Sequence, residues 1–382
     1  MNLESLLCVQ PPVDAVEVYL ANVDVERHFS FGTWHSRQHV WLRLEADGES
    51  GWGEQIASTD NPGIDPASWR PVLAELRGVS VGRALTLVRE RRGVWPRDAT
   101  EAAEMALLDL AGRLTDTPVV EALELPGREP VPGLFCILED DPAAAARQAR
   151  LSLEQNLRTH AKIKIFGDTE KDTAVIRAVR EVMGPDACLT ADANCGYGRP
   201  DNDGLPALAA DLRALRNAGL DACEDPADME NARWVALQER LPALALLPDE
   251  PCRPAWEALE RLLPGMGRIY NMHPGCMGSV VDTVPLGQRI RHEFEAELMV
   301  GDQSLVGVAC TAWQQIAIGL GAAWVEAIEK PQESDLLQRV TVASATEQKA
   351  DGRFGLSSLR PGFGLELDLD ALRTRCTRWA AL

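Results

Sequence analysis

Apolar and polar positions alternate along the first hundred residues with two different periods. AVEVYLANVDV, HVWLRLEADG and SGWGEQ alternate by two, the spacing at which one face of a strand is buried. The turn EADGES joins the second and third runs, and its Asp-Gly predicts a hairpin. The period then lengthens. ASWRPVLAELRG and DATEAAEMALLDLAGRL read as helices, and in the latter Ala103, Ala106, Leu107, Leu110 and Leu114 fall on one face. Residues 1–130 are therefore expected to form an α+β module. From residue 131 a regular strand–helix alternation begins, with strands expected at 132–138, 161–166, 187–192, 220–225, 243–249, 267–272, 297–301 and 323–329. Amphipathic stretches such as EKDTAVIRAVREVMG and MENARWVALQERL lie between them, which predicts an α/β barrel over 131–350. No GxGxxG follows the first of these strands to support an open doubly wound sheet. DGRFGLSSLRPGFGLELDLDALRTRC breaks the alternation, so segment 351–382 is expected to leave the barrel and pack elsewhere.

Composition narrows the partners. The chain has 382 residues, enough for two domains or for a barrel with an added module. A net charge of −20 argues against nucleic acid and anionic membrane, which both require basic surface. An anionic substrate would need local positive charge from a metal or from buried lysines. No apolar run reaches the length of a transmembrane helix, and MNLESLLCVQPP lacks the basic and apolar regions of a signal peptide. Nine dispersed cysteines with no CxxC pair predict reduced thiols in a cytoplasmic protein. Cys195 and Cys276 read as small, semi-apolar fillers.

Three acids stand at the ends of successive strands: Asp192 in LTADAN, Glu224 in ACEDP and Asp249 in LALLPDEP. Their intervals, 32 and 25 residues, match one strand-plus-helix unit each. On parallel strands they would open onto one end of the sheet, where barrel chemistry collects. Unneutralised, any two such charges 4 Å apart would repel by roughly 4 kcal/mol at an effective dielectric of about 20. Oxygen ligation of this kind suits Mg²⁺. Lys162 and Lys164, two apart on the preceding strand, share a face, and the barrel interior is the natural place for both. Crowding by a second cation would lower a lysine's pKa and make it a usable base.

In this order the KxK, DAN, ExP and DE strands resemble the enolase superfamily. The nearest likeness is to its muconate-lactonizing branch, with its muconate cycloisomerases, o-succinylbenzoate synthases and dipeptide epimerases. EADGESGWGE resembles the branch's cap hairpin, TEAAEMALLDLAGRL its cap helix, and DGRFGLSSLRPGFGLELD its C-terminal return to the cap. The resemblance implies a (β/α)₇β TIM-type barrel with an N-terminal α+β capping domain completed by the C-terminal segment. It further implies Asp192, Glu224 and Asp249 as Mg²⁺ ligands and Lys164 as the base, with Lys162 beside it. The implied chemistry is removal of a proton α to a carboxylate, the resulting enediolate being stabilised by the metal.

The pattern departs from that branch at the sixth strand. IYNMHPGCMGS places His273 where an opposing lysine is normal. A neutral His273 would still serve as acid or base facing Lys164. On the seventh strand Leu305 stands where a glutamate is common, with Asp302 nearby reading as a cap, and Glu329 on the eighth is expected to pair with a base. The Gly/Pro-rich NCGYGRPDNDGLP is expected to shape the site mouth, and the loops 25–39 and 53–63 to select the substrate. The expected partner is a small carboxylate, such as an N-acyl amino acid or dipeptide, handled by a racemase or epimerase that forms a homo-oligomer. Elimination, cycloisomerisation and non-catalytic carboxylate binding stay open.

Overall fold

The computed structural model describes residues 2–58, 66–301, 307–327, 340–376 and 378–381. Strands β1 (Ala15–Phe29), β2 (Gly32–Ala46) and β3 (Glu49–Ser58) form an antiparallel sheet, and Arg378–Ala381 adds a fourth strand beside β1. Asp47 and Gly48 both take positive φ, so the predicted Asp-Gly hairpin turns as a primed turn should. Residues 25–39, expected as a loop, instead prolong the β1–β2 hairpin. Their ladder continues to Phe29 opposite Gly32, with one irregularity between Asp24 and Arg27. Pairing satisfies backbone groups that a long loop would leave to water. Glu26, Arg27 and His28 hid this strand in the sequence by interrupting its apolar alternation.

The helix Arg97–Leu114 crosses β3 so closely that a Cβ on Gly53 would lie 2.0 Å from the Ala102 carbonyl oxygen. Its expected apolar face is buried as far as Leu110, with Leu114 half-buried, but so is every other position from Ala99 to Gly112. Three of those positions are acids that accept backbone N–H groups. Glu101 takes the amides of Gly275 and Gly278, each at 2.7 Å, and Glu104 takes Val281 N and the Ser279 hydroxyl. Asp109 accepts from Trp52 N and Phe363 N. Burial raises the carboxyls of Glu101 and Glu104 from 4.5 to about 7, against the amides that favour their charged forms. Both therefore hold protons more tightly folded than unfolded. Their contribution to stability is full below about pH 4.5 and is lost as pH rises through about 7. Thermal melts from about pH 5 to about pH 8 should show that fall, and Glu101→Gln should flatten it. An unchanged slope in the variant would contradict the assignment.

The barrel strands are β4 (Val131–Ile137), β5 (His160–Lys164), β6 (Cys188–Asp192), β7 (Ala222–Glu224), β8 (Ala245–Leu247), β9 (Ile269–Asn271), β10 (Glu297–Val300) and β11 (Trp324–Glu326). All eight expected strands are present, and all are parallel, in the order β8-β7-β6-β5-β4-β11-β10-β9. Two backbone bonds, Arg268 N to Leu246 O and Asn271 N to Pro248 O, close β9 onto β8. Most strands are shorter than expected and several lose residues at both ends, as where β7 is Ala222–Glu224 against 220–225 and β8 is Ala245–Leu247 against 243–249. Leu134, Leu247, Met299 and Trp324 form a small apolar cluster of their own on strands β4, β8, β10 and β11. The C-terminal segment pairs with the barrel first, Arg353–Leu356 running antiparallel to the start of β4. It then reaches the long helix at Phe363 and the β1 edge at Arg378–Ala381. No described helix is long and apolar enough to cross a membrane.

Candidate active site

Strand register assembles the site. Lys164 pairs with Asp192, and Asp192 with Glu224, so the three stand in a row across β5, β6 and β7 at the carboxyl ends. Glu224 pairs with Leu247, and Asp249 lies two residues beyond it on the same side, opening the short turn Glu250–Cys252. Lys162, one alternation before Lys164, points to the same interior. The structure thus brings together all six residues singled out above, with His273 from the segment after β9 lining the same cavity.

Each acid has a cation. Lys164 Nζ donates to Asp192 Oδ2 and, at 2.9 Å, to Asn194 Oδ1. Lys162 Nζ lies 3.5 Å from Glu224 Oε2 and 3.9 Å from Glu326 Oε2. Arg253 Nη2 donates to Asp249 Oδ2 at 2.7 Å. His273 Nε2 lies 4.0 Å from that same oxygen, while its Nδ1 is 3.0 Å from Pro274 O. A carbonyl only accepts, so Nδ1 carries the ring proton and Nε2 offers a lone pair.

Burial dominates the electrostatics. It raises the Glu224 carboxyl to about 8, helped by the Asp192 charge and opposed by Lys162, with Asp249 adding to the rise. Asp249 is raised by burial, against Arg253. Burial acts the same way on Asp192, but Lys164 and Lys162 outweigh it and hold that carboxyl below its ordinary value. His273 is pushed well below 6.5 by burial, then by Arg253 and Lys162, and stays neutral. Lys162 moves the opposite way from the crowding expectation. Burial opposes its charge, yet Glu224 and Glu326 hold it well above 10.5, so it is a fixed cation.

Glu224 Oε2 and Asp249 Oδ1 are buried without a hydrogen-bond partner. Three mutually repelling carboxylates with two unfilled oxygens form a donor set that fits a hard divalent cation. Among the described residues no three acids, histidines or cysteines stand close enough together to hold an ion as they are, and Lys164 and Arg253 donate to the Oδ2 atoms of Asp192 and Asp249.

The site borders a cavity of about 830 Å³. Its outer wall is the tip of the β1–β2 hairpin, where Phe29 packs on Phe31 and Trp34 at centroid separations of 5.1 and 4.6 Å. Lys164 Nζ lies 5.1 Å from the Phe29 ring centre, and the Ser30 hydroxyl donates to Asn194 O. Arg37, Gln55 and Ile56 also line the wall. His28 turns away to Thr33 across the hairpin. Asn194, Cys195 and Arg199 carry the Gly/Pro-rich segment along the mouth, and Cys195 and Cys276 are wall residues with raised thiol pKa values caused by burial.

Several residues that the structure places at the site were not picked out in the sequence. Asn271 donates to Glu224 Oε1 at 2.8 Å and accepts Gly301 N at 2.9 Å, fixing the glutamate from two strands away, across β8. Glu326 is the acid at the end of β11. Trp324 packs in the small apolar cluster and alternation puts Glu326 on the same face, a signal available in WVEAIE. Arg253 left no spacing signal. Asp302, Leu305, Glu329 and residues 59–63 lie outside the described residues.

Comparison with known proteins places these features among relatives. Residues 15–123 match the mandelate racemase/muconate lactonizing enzyme N-terminal domain, and residues 144–371 the enolase C-terminal domain-like family. An N-succinylamino acid racemase of Thermus thermophilus is 24% identical over 386 residues, covering 94% of this chain and 95% of the relative. A hydrophobic dipeptide epimerase of Enterococcus faecalis is 26% identical over 220 residues, 56% of this chain and 59% of that one. In fold, a dipeptide epimerase from Cytophaga hutchinsonii complexed with Mg and D-Ala-L-Val superposes with a TM-score of 0.81 at 18% identity. It covers 97% of this chain and 99% of that one.

Proposed function

The chain belongs to the mandelate racemase/muconate lactonizing enzyme family of the enolase superfamily, and from that premise we propose that it racemises or epimerises a small carboxylic acid by moving its α-proton. N-succinylamino acids and dipeptides, the substrates named for its relatives, are the first acids to try. Family membership implies a divalent metal, which we take to be Mg²⁺, held by Asp192, Glu224 and Asp249. When bound, the cation supplies positive charge to the carboxylate oxygens as the α-carbon loses its proton.

The other steps fall to this chain's side chains. Lys164 takes the proton on one face, held beside the acid row by Asp192 and Asn194. Lys162, paired with Glu224 and Glu326, stays charged and adds to the field that favours an anionic product of proton removal. His273 faces the site from the opposite side with its Nε2 lone pair, suited to take or return the proton there. The hairpin aromatics exclude water. The observation that carries this reading is the placing of Lys164 and His273 on either side of the three carboxylates.

Proton exchange in D₂O, followed by NMR on both enantiomers of each acid, tests it. His273→Asn should slow exchange of the enantiomer whose α-proton faces His273 by about a hundredfold or more, and spare the other. Equal loss for both enantiomers would remove His273 from proton transfer. Absence of exchange with any acid that binds would make the protein a carboxylate-binding relative. Muconate cycloisomerase and o-succinylbenzoate synthase are also among the relatives, and elimination or cycloisomerisation by Lys164 alone is the second reading if His273→Asn changes nothing.

A further inference from the structure

We infer that Arg253 receives the substrate carboxylate on the His273 side, freed for that role when the metal takes Asp249, so that metal and carboxylate bind cooperatively. This rests on the proposed metal site. The three cations of the site are not equally placed to give up their acids. Lys162 would keep Glu326, and Lys164 would keep Asn194. Arg253 has no second hydrogen-bonded acceptor in reserve. Among the described residues its side chain makes one hydrogen bond, to Asp249 Oδ2, and its Nε is buried with no partner. Once an ion claims Asp249, the guanidinium would keep only the weaker through-space charges of Asp225 and Glu250 in a largely buried position, which favours an anion that can reach it. Arg253 lines the cavity, and a planar guanidinium matches a carboxylate in two-pronged fashion. His273 Nε2 stands 4.0 Å from the oxygen that Arg253 holds, so the two residues flank one point. A lysine there would combine charge with proton transfer. Here the charge comes from the end of β8 and the transferable proton site from the segment after β9.

Calorimetric titration of the metal-free protein with Mg²⁺, with and without saturating N-succinylvaline, reads the coupling without any turnover measurement. In the wild type the acid should tighten Mg²⁺ binding about tenfold or more. Arg253→Met should bind Mg²⁺ more tightly than wild type when the acid is absent, and should lose about tenfold of the tightening when it is present, keeping only the part that the metal's own contact with the acid supplies. Arg253→Lys, which keeps the charge, should retain part of it and guards against a packing defect in the methionine variant, whose fold near-UV circular dichroism checks. Direct contact of acid with metal would give coupling in every variant, so equal tightening in wild type and Arg253→Met overturns the inference. Absence of tightening in the wild type overturns it as well. Mg²⁺ binding unchanged by Asp249→Asn would instead overturn the metal site itself.

Discussion

Lys164→Ala should lower α-proton exchange by about a thousandfold or more, for every acid the protein accepts. The loss would be chemical and not structural, because the side chain fills the end of the cavity and touches Asp192, Asn194 and the face of Phe29 without supporting the barrel core. Removing it also strips Asp192 of its closest positive neighbour. Mg²⁺ affinity should therefore stay level or rise while exchange collapses, and calorimetry beside NMR exchange separates the two. A variant that exchanges within about tenfold of wild type would move the base elsewhere. Lys162 is the obvious rival by sequence. Its two acid neighbours hold its proton so firmly that it makes a poor base near neutral pH.

Glu224→Gln should act on the metal with comparable force. It deletes the middle charge of the three and puts an amide where Asn271 Nδ2 donates. Partners one step removed from a metal typically alter its affinity ten- to a hundredfold, so loss of a direct ligand should weaken Mg²⁺ binding by about a hundredfold or more. The metal-free protein should respond differently. Glu224 there holds its proton up to about pH 8, so glutamine mimics it and the melting temperature in EDTA near pH 7 should hold. Lower stability together with undiminished metal affinity would contradict both the ligand role and the charge argument.

Much of the barrel and of the acid row was legible in the sequence because both follow from period and position. Apolar strand runs at repeating intervals announce the barrel, and an acid that ends such a run must emerge at the rim. Lys162 and Lys164 were readable together because a strand has period two. What escaped notice depends on contacts between distant segments. Arg253 belongs to the site through Asp249, four residues away on an irregular turn, and no periodicity marks it. Asn271 looks like an ordinary polar residue at a strand end until β7 and β10 are set beside it. The hairpin tip was misread for a different reason: an exposed Glu26, a half-buried His28 and a buried Arg27 all sit in the paired strand β1, so polarity there said nothing about pairing. Glu101 and Glu104 lay on a helix whose apolar stripe was visible, yet their partners are amides, which carry no sequence signature.

Those two glutamates also set a rule for recombination. They hold residues 275, 278, 279 and 281, the stretch that follows His273, from a helix 174 to 177 positions earlier. A chimaera joining this barrel to a relative's first 130 residues would inherit a His273 segment cut for a different clasp. Unless the graft also carries acids at those two helix positions, buried amides would be orphaned and His273 set adrift from its aim. Swapping specificity by exchanging the N-terminal region is therefore a catalytic intervention as well, and the helix and the segment after β9 should be transplanted as one inheritance.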